Sequence, residues 1–164
     1  MDAGENGQSK DSDFRKTMTD EYYMNIALEE AKKAASEDEI PVGACLVKDG
    51  KIIYRDHNRT RQLQSPFAHA EKLILDQAIA NGIKYLTDYS LYITLEPCLM
   101  CSGMIILSRI GRVVYASADP KAGAAGSIYH SLKDKSFNHS PELSRGILAD
   151  DCSLLLTDFF RKKR

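Results

Sequence analysis

The 164-residue chain is long enough to bury one apolar core without disulfide or metal staples, and a single domain is the expectation at this length. With 43% hydrophobic and 27% charged residues, it is neither a disordered chain, nor collagenous, nor a small disulfide framework. A net charge of -1 gives no overall attraction to nucleic acid; two basic clusters, Arg55 with Arg59 and Arg61 and the end from Arg161 to Arg164, read as solvated surface.

Residues 1–18 are polar and without period, and are expected to form a mobile leader ahead of one domain over residues 19–164. The leader has neither the basic start nor the apolar stretch of a secretory signal, and apolar runs such as Met104 to Leu107 fall far below the roughly 18 residues of a membrane span. A cytoplasmic protein is expected, with no membrane contact. In that reducing compartment the four cysteines are thiols or metal ligands rather than disulfides.

From Thr19 onward, Tyr23, Ile26, Ala27, Ala31 and Ala34 recur at helical spacing, with Asp20 and Glu21 placed to complement the dipole at the helix start. Val42 to Val47 and Ile52 to Tyr54 read as two antiparallel strands joined through Asp49-Gly50, a pair suited to a two-residue hairpin turn. A second helix is expected from about His69 to Ile79, stopped at Asn81-Gly82. Leu91 to Leu95 is a strand, Pro97 fits the first turn of a third helix running to about Ser108, and Arg112 to Ala116 is another strand. Strand, helix and strand in succession imply a parallel pair, hence an α/β architecture in three helix-sheet-helix layers. Gly123-Ala124-Ala125-Gly126 suggests a tight turn feeding a short helix, and Cys152 to Phe160 a last helix. No internal repeat is present.

Chemistry concentrates at two helix starts. His69-Ala70-Glu71 opens one, and Pro97-Cys98-Leu99-Met100-Cys101 opens the other. Cysteines three apart share a helical face, and a helix N-terminus favours the thiolate that zinc requires. One histidine and two thiolates leave a fourth position free, as in catalytic rather than structural zinc sites, and zinc so held lowers the pKa of water. Glu71 is then the candidate general acid-base. Alone, His-x-Glu is usually an accident of a solvated helix start, and Cys-x-x-Cys is equally a redox pair or half of a structural site. Together, in this order and with proline before the first cysteine, they form the known pattern of zinc-dependent nucleobase deaminases.

Cys45 and Cys152 read as buried thiols without a catalytic role, and His57, His130 and His139 as surface or loop histidines. Asn58 suits either contact with a base edge or ribose, or the capping of a turn.

Beyond the zinc pattern, Ile40-Pro41-Val42-Gly43-Ala44, His57-Asn58-Arg59, Leu91 through Cys98, Ser108 through Tyr115, Gly123 through Ser127, Asn138-His139, Gly146 through Ala149 and Asp158-Phe159-Phe160 resemble the bacterial-type tRNA adenosine deaminases, within the cytidine deaminase-like superfamily. The resemblance runs from about Tyr22 to Arg161. It implies a five-stranded mixed sheet between helices, zinc (Zn2+) on His69, Cys98 and Cys101, a homodimer, and conversion of adenosine to inosine at the wobble position of a tRNA anticodon loop, with the base splayed from single-stranded RNA into the zinc pocket. It also implies substrate-binding roles for Asn58, Asp119 and His139. The chain departs from the family in Ser65-Pro66-Phe67 before Ala68-His69 and in Ser140 after Asn138-His139. Because pocket walls select the substrate, these departures keep open a deaminase of a free nucleobase or nucleoside such as cytosine or guanine. A non-enzymatic zinc-stabilised protein, with Cys45 or Cys152 closing the fourth position, is the alternative of a different class.

Overall fold

A computed structural model describes residues 8–164, with side chains from Asp20 onward. In chain order the elements are α1 (Gln8–Ser36), β1 (Gly43–Lys48), β2 (Lys51–His57), α2 (Ala70–Ala80), β3 (Ser90–Leu95), α3 (Leu99–Ser108), β4 (Arg112–Ser117), a 3-10 turn (Ser131–Lys133), β5 (Glu142–Arg145) and α4 (Ala149–Lys162). The strands form one mixed sheet in the order β2-β1-β3-β4-β5. β1 pairs antiparallel with β2 and β3, while β3, β4 and β5 run parallel.

Alternation along the strands divides the core into two layers. Ala44, Leu46, Leu91, Ile93, Val113 and Tyr115 point to the face covered by Ile74, Leu75 and Ala78 of α2 and Ile105 of α3. Cys45, Val47, Tyr92, Val114 and Ala116 point to the opposite face, where Tyr23, Met24, Ala27 and Leu28 of α1 and Cys152 of α4 lie. With both faces covered, the central strands are apolar at nearly every position, which is why they read as runs in the sequence. The expected three-layer α/β architecture and five-stranded mixed sheet are both present.

Asp49 and Gly50 carry φ angles of 51° and 73°, the two left-handed residues that a two-residue hairpin turn demands. At Gly43 the reason for glycine is space: a Cβ there would sit 2.1 Å from the Ala27 carbonyl oxygen and 2.4 Å from the Ala31 nitrogen, so α1 can lie directly on β1.

Several boundaries differ from the sequence reading. The helix begins at Gln8, not near Thr19, because periodicity marks only the part of a helix that packs; residues 8–18 of the expected leader therefore have helical backbone, and residues 1–7 lie outside the described residues. Asp20 consequently lies inside α1 rather than at its first turn. It accepts from Arg112 through two bonds, Nη1 to Oδ1 at 2.6 Å and Nη2 to Oδ2 at 2.7 Å, and from the Tyr92 hydroxyl at 2.6 Å. Pro97 precedes α3 instead of opening it: Cys98 is the N-cap and its carbonyl accepts the first helical bond, from the Ser102 amide at 2.8 Å. The segment after Gly123 folds into a bridge between Ala125 and His130 before the 3-10 turn, so no helix follows it directly. α4 is longer at both ends than Cys152 to Phe160.

Candidate active site

The N-termini of α2 and α3 meet on one side of the sheet, α3 following closely on the end of β3 and α2 following a run of turns after β2. Their N-cap residues, His69 and Cys98, have extended ψ angles of 153° and 176°, which turn both side chains toward the space between the helix ends. His69 Nδ1 lies 3.5 Å from Cys98 Sγ and 3.6 Å from Cys101 Sγ. Tetrahedral zinc with ordinary Zn–N and Zn–S bonds separates nitrogen from sulfur by about 3.6 Å, so the donor set fits this ion in number, type and spacing. Cys45 and Cys152 belong to the opposite core layer, behind the sheet. The Cys45 thiol meets the Tyr23 carbonyl at 3.4 Å, and burial pushes both thiols up to about 12. Neither can close a fourth metal position.

The donors of the cluster share protons with one another, and the contact that lowers the Cys98 thiol raises that of Cys101. A hydrogen bond from Cys101, with others from His69 and the Cys101 backbone, pulls the Cys98 thiol down to about 4 against the effect of burial. The contact with Cys98 raises His69. Glu71, in the first turn of α2, is 4% exposed, and burial pushes its carboxyl above the ordinary glutamate range. Burial of this kind moves a carboxyl toward the range in which it can serve as a general acid as well as a base.

His69, Glu71 and Cys98, with Cys101 buried beneath them, form the floor of a cleft of about 930 Å3, at the large end for a small-molecule site and open beyond the space a single base fills. One wall contains Asn58 and Thr60; the other runs from Ser117 to Ala122 and includes Asp119 and Lys121. Arg161, Lys163 and Arg164 of the basic chain end also border the cleft, so this cluster is not merely a solvated face. Arg55, Arg59 and Arg61 are committed to ion pairs with Glu29 and Glu30, with Asp56, and with Asp38, and within the chain end Arg161 pairs with Asp158 and Lys163 with Asp38.

Asn58 is 4% exposed, and its Oδ1 has no hydrogen-bond partner among the described residues. Its Nδ2 reaches Thr60 Oγ1 only at 3.4 Å, so the amide is not spent on capping a turn. Asp119 borders the cleft with Oδ1 accepting from the amides of Lys121 and Ala122, at 3.0 and 3.2 Å. His139 is not brought to the cleft: it precedes β5, with Nε2 2.6 Å from the Ile110 carbonyl oxygen. His130 is exposed, as expected.

His57 is neither a surface nor a loop residue. It ends β2, is 2% exposed, and its Nδ1 and Nε2 each lie 2.8 Å from a carboxylate oxygen, of Glu30 and Glu37 respectively. Hydrogen bonds from His57, Arg55 and Lys33 hold the Glu30 carboxyl below its usual range despite a burial effect in the other direction.

Two buried carboxylates went unread in the sequence. Glu39 accepts from the amides of Arg61 and Gln62, at 3.1 and 2.6 Å, behind the Asn58 wall. Glu96 accepts from the amides of Asp119, Ala125 and Ser127 behind the other wall. The available signal was a charged residue at the end of an apolar strand, directly before Pro97.

The chain belongs to the family defined by the cytidine and deoxycytidylate deaminase zinc-binding region, which matches residues 17–117. Its curated relatives within that family include the tRNA-specific adenosine deaminases. It is 45% identical to the enzyme of Bacillus subtilis (strain 168), over 88% of this chain and 91% of that one, and 42% identical to that of Aquifex aeolicus (strain VF5), over 90% and 97%. A solved structure from work on A-to-I editing by tRNA:A34 deaminases at the wobble position superposes with a TM-score of 0.78 at 39% identity, covering 82% of this chain and 99% of that one. The guanine deaminase of Nitrosomonas europaea shares the fold, with a TM-score of 0.74 at 23% identity over 85% and 83% of the two chains.

Proposed function

We propose that this protein is a zinc-dependent hydrolytic deaminase that converts adenosine to inosine at the wobble position of a tRNA anticodon loop. The observation that carries the reading is the floor of the cleft: three clustered zinc donors, His69 at tetrahedral distance from both sulfurs, beside the buried carboxyl of Glu71, in a chain 45% identical to a tRNA-specific adenosine deaminase.

Zinc held by His69, Cys98 and Cys101 supplies Lewis-acid activation of water. Glu71 takes a proton from the attacking water and returns it to the departing amine, so that adenosine and water give inosine and ammonia. Asn58 offers its unpaired Oδ1 to a donor on the target nucleoside. Asp119 and Lys121 stand on the opposite wall, and the basic end of α4 supplies cations for the RNA backbone. His139 contacts only RNA that extends beyond the cleft. Phe67, one of the departures that keep a free-base substrate open, is 57% exposed and does not border the cleft, so its side chain does not select the base there.

A homodimer is part of the proposal, supported by exposed apolar side chains such as Leu107 at 79% and Ile79 and Tyr85 on neighbouring segments. No helix among the described residues is long and apolar enough to cross a membrane; a cytoplasmic location is part of the proposal.

The test is deamination of a tRNA anticodon stem-loop with adenosine at the wobble position, beside free adenosine, cytosine and guanine, read by mass spectrometry of the product base. Inosine in the RNA alone is expected. Ammonia from a free base with untouched RNA overturns the substrate assignment while leaving the zinc chemistry standing.

A further inference from the structure

Glu96 is a buried carboxylate for which the deamination chemistry has no use. It stands between the end of β3 and Pro97-Cys98, two residues from a zinc donor, and is 3% exposed. Its Oε1 accepts from the Asp119 amide at 3.1 Å and from the Ser127 hydroxyl. Its Oε2 accepts from the amides of Ala125 and Ser127, at 3.0 and 3.1 Å. The backbone reinforces the same junction: the Glu96 amide donates to the Ser117 carbonyl at 2.8 Å, and the Ala124 amide to the Pro97 carbonyl at 2.9 Å. Gly123 closes the loop over the carboxylate, where a Cβ would come within 2.2 Å of Oε2 and 2.6 Å of the Asp119 carbonyl oxygen.

Every partner of the two oxygens is a donor, and three are backbone amides that cannot turn away. A glutamine, whichever way its amide is set, presents an NH2 group to at least one of them. Only an ionised carboxylate satisfies the set, and charge-assisted bonds of this kind are the strong ones. The wall bearing Asp119 and Lys121 is thus fastened directly to the chain that delivers Cys98.

We propose that Glu96 is a positioning residue for RNA recognition, fixing residues 118–122 as a wall of the cleft so that they meet the nucleotides beside the target adenosine. The inference rests on the deaminase reading above. A wall that binds RNA equally in ground and transition states acts on KM, whereas loss of a purely structural tie lowers stability without moving KM.

Glu96→Gln and, independently, Gly123→Ala, which pushes the loop off the carboxylate with the charge retained, are compared with the wild type on the anticodon stem-loop, with zinc content and melting temperature measured on the same samples. Both variants are expected to keep full zinc, to raise KM about tenfold and to hold kcat within about twofold. Ser127→Ala, which removes a single donor and leaves the backbone bonds, is expected to raise KM about two- to threefold and keeps the test available should the first two fail to fold. Zinc loss with a collapse of kcat assigns Glu96 to the metal site, and an unchanged KM with a lower melting temperature makes it a structural tie; either result overturns the proposal. Absence of RNA turnover by the wild type is a separate outcome, which fails the reading of function itself.

Discussion

Asn58 with Thr60 and residues 118–122 both border the cleft as irregular chain, yet they are fastened in different ways. Behind the first lies a web of charge: His57 between Glu30 and Glu37, Arg59 on Asp56, Arg61 on Asp38, and Glu39 on two amides. Behind the second lies one carboxylate, Glu96, holding uncharged donors in the interior. The first arrangement has many partners, several at the surface and open to screening by salt; the second has a single point of failure and no exposure to salt. Both differ from the floor, where regular helices deliver the reacting groups. A guanine deaminase shares this fold at only 23% identity, which suits a scaffold that keeps its framework while its loops are free to vary.

The sharpest separation of floor from walls is Glu71→Gln. It is expected to lower kcat by about 10^2- to 10^4-fold with zinc content and RNA affinity unchanged, measured by single-turnover deamination and metal analysis; lost RNA affinity would merge floor and wall. Next, Glu39→Gln is expected to raise KM only about threefold, below the effect at Glu96, because neighbouring ion pairs share the work. Its penalty grows with added salt, as the surviving pairs are screened, while that of Glu96→Gln does not; equal salt responses would erase the distinction between the walls.

The smallest effect is one of pH. Because the Glu30 carboxyl is held below its unfolded value, its stabilisation is fully present above the unfolded value and is lost as pH falls through the lower, folded one. The melting temperatures of wild type and Glu30→Gln are therefore expected to differ near pH 6 and to converge as pH falls below the ordinary glutamate range, followed by circular dichroism. A constant gap would remove Glu30 from the charged web.

The floor was legible in the sequence because its residues sit at fixed spacing on helix starts, where neighbours in sequence are neighbours in space. The hairpin was legible for the same reason, through Asp49-Gly50. β5 was not: Glu142–Arg145 is a four-residue edge strand with Leu143 its one apolar residue, known from resemblance rather than from any period. Glu39 and Glu96 were missed because their partners lie 22 to 31 positions away, on amides that carry no side-chain signal. His57 was misread because sequence does not show that α1 brings Glu30 to one of its ring nitrogens and the turn after it brings Glu37 to the other.

The bidentate pair between Arg112 and Asp20 joins residues 92 positions apart, the first helix to the fourth strand. During synthesis α1 meets β1 within a few tens of residues, but its buried acid gains the guanidinium only after β4 has been made. The Tyr92 hydroxyl of β3 is made earlier and donates to the same carboxylate, so the guanidinium completes its pairing rather than beginning it. The pair thus ties the first helix of the chain to the strand that follows α3, a contact that closes only when both ends of that stretch are in place.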